Sequence, residues 1–303
     1  VAKLKRLGLL EPNAYEFRES NGKQADYAPQ SEPGHDLEYH SRNDTENDFG
    51  NDFKNGFVNV FGYGSGNYSG GNSGYDPEQN YIQARKEEAI RIVDALKVKM
   101  NIHGDRVLEL PNKVLNKILF DSKTEPWWIY VNALSNYVSW IYSHSIDVAI
   151  ISLVIAKELG YGEKDLWNIG LGAFFHDVGE LLVPRDILER PKGLDAWEMA
   201  YLRQHCELGM VSLEPFCLAK ECTDIVIQHH ERLDGSGYPR GLKGSEISRN
   251  ARIVIVADAF DAITSRRPYR ESKDVDSAIK ILREEEGAKY PQDLVSLLEA
   301  IMK

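Results

Sequence analysis

Phe174-Phe175-His176-Asp177-Val178-Gly179-Glu180 is the stretch that decides how this chain folds and what it holds. A histidine and an aspartate stand side by side at the end of an apolar run, where an unpaired charge is costly. Two other segments repeat the pattern. His229-His230-Glu231 follows the apolar Ile225-Val226-Ile227-Gln228, and Asp258 lies inside Ile253-Val254-Ile255-Val256-Ala257-Asp258-Ala259-Phe260-Asp261, the most hydrophobic run of the chain. Five of the eight histidines fall between positions 144 and 230. One such histidine alone reads as a satisfied core residue; the set does not. Buried imidazoles and carboxylates that converge are most readily satisfied by metal ions, which accept both donor types.

Outward from these segments the apolar period is helical. Ala89, Ile90, Ile92, Val93 and Leu96 give Gln83–Met100 one apolar face. Helices are predicted at 112–120, 128–160, where Gly160 stops the run, and 164–177. Asp195 and Glu198 form a capping-box start for a helix through His205 and Leu208. Further helices fit 219–232, 248–265, 275–286 and 291–302. Only Arg252–Val256 is ambiguous with a strand, so the C-terminal two-thirds reads as all-α.

The first eighty residues differ in kind. Residues 20–80 are polar, acidic and rich in Asn and Gly, and 56–75 is low-complexity with interspersed aromatics. Such a stretch buries too little aliphatic surface to offset the entropy of ordering, so residues 1–80 read as disordered or as a tether able to dock a protein partner. Residues 81–127 read as a helical N-terminal or linker segment and 128–303 as the main domain. A length of 303 residues fits about two domains. The formal net charge of −11 disfavours a nucleic-acid polymer or anionic membrane as partner. Residues 232–270 run the other way, with eight basic and four acidic side chains. Cys206, Cys217 and Cys222 lack a CxxC pair and read as buried thiols. The apolar run Val148–Ala156 is too short for a membrane span, and no secretory leader is evident. A cytoplasmic protein is expected, and the start at Val1 points to a piece of a longer one.

The order His144…His176-Asp177…Asp258 resembles the HD phosphohydrolase superfamily. The segment His229-His230-Glu231-Arg232-Leu233-Asp234-Gly235-Ser236-Gly237-Tyr238-Pro239 is similar to the signature of its HD-GYP subgroup. The stretch from Asp258 through Asp261 to Arg266-Arg267-Pro268-Tyr269-Arg270 resembles that subgroup as well. The likeness runs from about Trp128 to the C-terminus. It implies an all-α HD-type bundle with a dinuclear centre that hydrolyses cyclic di-GMP to pGpG or GMP, often as a homodimer. By the same resemblance His144, His176, Asp177 and Asp258 hold one divalent ion. Asp177 bridges to a second held by His205, His229 and His230, with His176 and Asp177 at the catalytic heart. Iron or manganese is implied, and nickel or zinc also suit imidazole-rich ligation. Tyr238, Pro239, Asp261, Arg267 and Arg270 are the implied substrate contacts; the arginine forks match phosphate oxygens.

Two positions depart from that pattern. The family writes His-Asp-x-Gly-Lys, and here Glu180 replaces the lysine, exchanging attraction for repulsion beside a dianion. Three-metal members carry a Glu one turn before the first histidine. Trp140 stands there instead, and no acid occurs between Glu125 and Asp147, so two metals are expected. Glu180 leaves two alternatives to a cyclic di-GMP phosphodiesterase: a weakly active cyclic-dinucleotide-binding module, or an enzyme for another cyclic dinucleotide such as cyclic GMP-AMP.

Overall fold

The structure is a computed structural model describing residues 77–102, 106–190, 193–266, 271–284 and 289–303. The low-complexity region up to residue 76 and the predicted contacts Arg267 and Arg270 lie outside the described residues.

At the centre stands α4 (Ser139–Glu158). Its residues from Ile146 through Ala156 are almost all apolar and fully buried. A helix apolar all round must be enclosed, and this one is packed by α1 (Pro77–Lys99), α2 (Arg106–Asn116), α3 (Ile129–Tyr137), α5 (Glu163–Phe174), α10 (Arg249–Thr264) and α12 (Gln292–Ile301). Trp140–Glu158 is long and apolar enough to cross a membrane, which corrects the expectation that no such segment exists. Here 78% of it is buried, as befits a core helix. The rest of the fold comprises α6 (Arg185–Leu188), α7 (Ala196–Arg203), α8 (His205–Leu213), α9 (Lys220–Gln228) and α11 (Val275–Glu284). Among the described residues there is no sheet, only an isolated bridge between Asp234 and Lys243.

Several predicted helices are interrupted, and the interruptions place functional groups. The run expected over 128–160 breaks at Val138, whose extended backbone (φ −137°, ψ 122°) separates α3 from α4. The helix expected to reach Asp177 ends at Phe174, so His176 and Asp177 sit on a tight turn leading into a 3-10 segment, Val178–Leu182. The capping box forms as expected: Asp195 accepts the Glu198 N–H (2.8 Å), and Glu198 accepts the Asp195 N–H (3.1 Å). That helix stops at Arg203, and His205 opens a new one. The ambiguous Arg252–Val256 lies within α10.

The segment expected to be a linker is part of the same packed body. Leu96, Met100, Leu115 and Ile118 are at most 2% exposed. The expected boundary at 80/81 falls inside α1. Pro111 sits within α2 and cannot donate to the Val107 carbonyl. Lys157 of α4 supplies the missing donor, reaching Val107 O at 3.2 Å and Arg106 O at 2.6 Å.

Candidate metal centre

Five helices deliver the site. His144 comes from the middle of α4, His176 and Asp177 from the turn after α5, His205 from the first position of α8, His229 and His230 from the end of α9, and Asp258 from α10. Helix ends bring these groups together because short turns permit close approach. Gly179 is one such point: a β-carbon there would lie 1.9 Å from the His205 carbonyl oxygen. Only glycine lets the 3-10 segment after Asp177 touch the start of α8.

The donors fall into two groups, Asp177 with His205, His229 and His230, and His144 with His176 and Asp258. Asp177 faces both. Its Oδ2 lies 3.0 Å from His176 Nε2 and 3.6 Å from His144 Nε2. Its Oδ1 lies 3.3 Å from His229 Nε2 and 3.4 Å from His205 Nε2, and is buried without a hydrogen bond.

The proton positions follow from the partners on the far side of each ring. His176 Nδ1 contacts Ala173 O (2.7 Å), His205 Nδ1 contacts Leu202 O (2.7 Å) and His229 Nδ1 contacts Val226 O (2.9 Å). A carbonyl oxygen only accepts, so each Nδ1 carries a proton and each ring turns its Nε2 inward. Those inward nitrogens meet in pairs, His144 Nε2 to His176 Nε2 at 3.3 Å and His205 Nε2 to His229 Nε2 at 3.1 Å. Lone pairs facing at that distance repel unless a cation sits with them. The donor set fits divalent metal ions, with the outward N–H of each histidine fixed as metal-ligating imidazoles usually are.

The electrostatics agree. Burial holds His205 neutral, lowering it to about 4. Burial, reinforced by His229 and His205, keeps His230 well below its usual range. Burial alone would raise Asp177, but His176, His229 and His205 outweigh it and hold the carboxylate far below its ordinary value. Asp258 is likewise depressed, its burial outweighed by His144. Neutral imidazoles and ionised carboxylates are the protonation states that bind metal.

Asp261 requires a correction. It was expected to touch substrate, yet it is fully buried and turned away from the cleft. Its Oδ2 lies 2.7 Å from His144 Nδ1, and its Oδ1 accepts from Ser265 Oγ (2.7 Å). Asp258 and Asp261 are three residues apart on one helical face. They grip opposite nitrogens of His144, Asp258 Oδ1 lying 3.2 Å from Nε2.

A cleft of about 390 Å³ opens over the donors, lined among others by Trp140, Glu180, Arg190, Met199, Leu202 and Tyr238. Glu180 is buried there among the donors, and the Arg185 guanidinium lies over the Tyr137 ring. Tyr238 packs 4.7 Å from the His230 ring, and the Arg203 guanidinium covers it at 5.1 Å. Pro239 lines a neighbouring surface groove with Tyr238 and Arg203. Glu231, which the sequence did not single out, is completely buried. It accepts from the backbone N–H of Arg240 (2.8 Å) and Leu242 (2.9 Å), holding the glycine loop closed. Its position directly after the histidine pair was the available signal. Cys206 and Cys222 are buried, their thiols pushed up by burial, whereas Cys217 is exposed, against expectation.

Comparison with known proteins gives the following. The HD domain family matches residues 129–294. A cyclic di-GMP phosphodiesterase of Thermotoga maritima is 37% identical over 176 residues, covering 57% of this chain and 47% of that protein. The 3'3'-cGAMP-specific phosphodiesterase 3 of Vibrio cholerae is 34% identical over 217 residues, covering 69% and 45% respectively. The chain thus spans about half the length of these relatives. Among solved structures, Bd1817, an HDG"Y"P protein from Bdellovibrio bacteriovorus, superposes with a TM-score of 0.50 at 19% identity, covering 84% of this chain and 81% of that one. It supports the fold.

Proposed function

The chain belongs to the HD domain family, and from that premise we propose a metal-dependent phosphodiesterase that hydrolyses a cyclic dinucleotide, cyclic di-GMP first, to pGpG or GMP. The observation that carries this is the pair of inward Nε2 contacts on either side of Asp177, whose two oxygens address the two donor groups separately. In this reading His144, His176 and Asp258 hold one ion, His205, His229 and His230 the other, and Asp177 bridges them. Iron or manganese is the preferred pair, in a cytoplasmic setting. When bound, the two cations supply Lewis acidity to a phosphodiester oxygen and activate water as the nucleophile.

The chain's own residues do the rest. The Nδ1 protons of His176, His205 and His229 are committed to carbonyl oxygens, so these rings ligate rather than shuttle protons. Tyr238, Met199 and Leu202 give the cleft apolar walls suited to a nucleobase. Hydrolysis adds one water, breaks one P–O3′ bond of the ring and leaves a 5′-phosphate and a 3′-hydroxyl. The decisive experiment incubates the protein, loaded separately with iron and manganese, with cyclic di-GMP and with 3'3'-cGAMP, and reads products by chromatography. Linear product that disappears in Asp177→Asn is expected. A fully metal-loaded protein that cleaves neither substrate overturns the proposal.

A second reading rests on Glu180, whose carboxylate lies in the cleft wall and opposes a dianionic ligand. It makes the chain a slow enzyme that chiefly binds a cyclic dinucleotide; tight binding without turnover in the same assay is its signature.

A further inference from the structure

One cation reaches the metal centre from outside the segment the family profile covers. Lys99 is the last residue of α1. Its ammonium donates to Asp261 Oδ1 at 2.9 Å and to Ser265 Oγ at 3.1 Å, and lies 3.6 Å from Asp147 Oδ2. Asp261 is buried and Asp147 half-buried beside it, and burial together with Asp261 pushes the Asp147 carboxyl up to about 8. The pair therefore carries one negative charge at neutral pH, on Asp261, and Lys99 is the cation that compensates it. Asp261 in turn holds His144 by its outward nitrogen at 2.7 Å, while the inward nitrogen faces Asp258 and His176. The chain of contacts therefore runs from α1 through Lys99 and Asp261 to one metal-binding imidazole.

We propose that Lys99 is a positioning residue for the metal group of His144, His176 and Asp258: it anchors Asp261 Oδ1, so that Asp261 Oδ2 stays on His144 Nδ1 and the ring stays aimed at the metal. The proposal rests on the metal-centre reading above, but it concerns metal affinity rather than substrate. With the lysine gone, the buried Asp261 carboxylate loses the cation that fixes its Oδ1, and the His144 ring loses the contact that orients it. The other group, around His205, His229 and His230, takes the Oδ1 side of Asp177 and is expected to keep its affinity.

The test is a titration of the full chain, freed of metal, with manganese(II) alone under equilibrium dialysis. Lys99→Met is expected to weaken one of two binding events about tenfold, the scale on which groups supporting a ligand act, and to leave the other unchanged. Lys99→Arg, which keeps the charge, retains parental affinity. A lysine with a purely structural role would weaken both binding events or neither, so the split between them is the readout. Melting of each metal-free variant checks the fold; if Lys99→Met unfolds, Lys99→Gln, which keeps a donor without charge, must show the same loss. Parental affinity in Lys99→Met or Lys99→Gln overturns the proposal, as does an equal loss at both binding events or a loss in Lys99→Arg. Hydrolysis by the parent is scored separately. A parent that binds two ions and shows the split titration but cleaves nothing sinks the proposed function alone. A parent that cleaves while Lys99→Met binds normally sinks the Lys99 proposal alone, and a parent that binds no manganese sinks both.

Discussion

Individual side chains set the pH behaviour of the site. His205 stays neutral in the fold down to about 4, whereas the ordinary imidazole value is 6.5. A group depressed in this way contributes stability that is complete above the unfolded value and is lost as pH falls through the folded one. The metal-free protein is therefore expected to lose melting temperature between about pH 6.5 and 4, and His205→Gln should flatten that dependence in a calorimetric series. His230, depressed in the same sense by burial, adds to it. Glu180 makes a second prediction at this scale. Its carboxylate lines the cleft, so Glu180→Lys should raise turnover or tighten cyclic-dinucleotide binding under saturating metal. Unchanged kinetics would remove charge repulsion as its role. The seven candidate donors were legible in the sequence because most are polar groups at or in apolar runs, and the structure gathers them into two clusters. Asp261 was misjudged because it shares that signature with Asp258. Only the rotation of α10 shows that one aspartate takes the inward nitrogen of His144 and the other the outward.

At the scale of elements, turns between helices matter as much as helices. The 3-10 segment Val178–Leu182 packs against α8 through Gly179, where a β-carbon would meet the His205 backbone at 1.9 Å. Gly179→Ala must push the two apart. A loss of about 3 kcal/mol in urea unfolding is expected, at the upper end for overpacking, together with weaker metal binding because His205 moves away from Asp177. Lys157 offers a milder case. Lys157→Met leaves the Val107 carbonyl above Pro111 without its donor and should cost about 1 kcal/mol. Helix existence was readable from apolar period and from the Asp195 cap. Breaks at Val138, Phe174 and Gln204 were not, because local propensity there permits continuation and only the neighbours forbid it.

For the whole molecule, the packed body extends beyond the family-matched segment. Contacts cluster Ser73–Lys303 into one unit, and α1 and α2 both rest on the central α4. A chain starting at Ser73 is expected to melt cooperatively and bind metal. One starting at Trp128 loses Leu96, Met100, Leu115 and Ile118 from the core and should fail to give a sharp transition. Near-parental melting of the shorter chain would show that α1 and α2 are dispensable appendages. The acidic total of −11 and the concentration of basic residues after position 231 coexist because charge is organised by region. The net figure excludes a polyanion-coated surface without describing the cleft.

The amino-acid sequence by itself determined the helical class, the seven candidate donors and their order, and the substitutions at Glu180 and Trp140. These are properties of residue type and spacing, and they survive without knowing where anything lies. Tertiary structure alone decided that Asp177 turns one oxygen to each donor group, that Asp261 supports His144 from behind, and that Lys99 and α1 belong to the centre. The physical reason is range. Burial and helical period are local and leave a mark in any short window, whereas the partner of a buried charge is chosen by packing across well over a hundred residues, as Lys99 and Asp261 show.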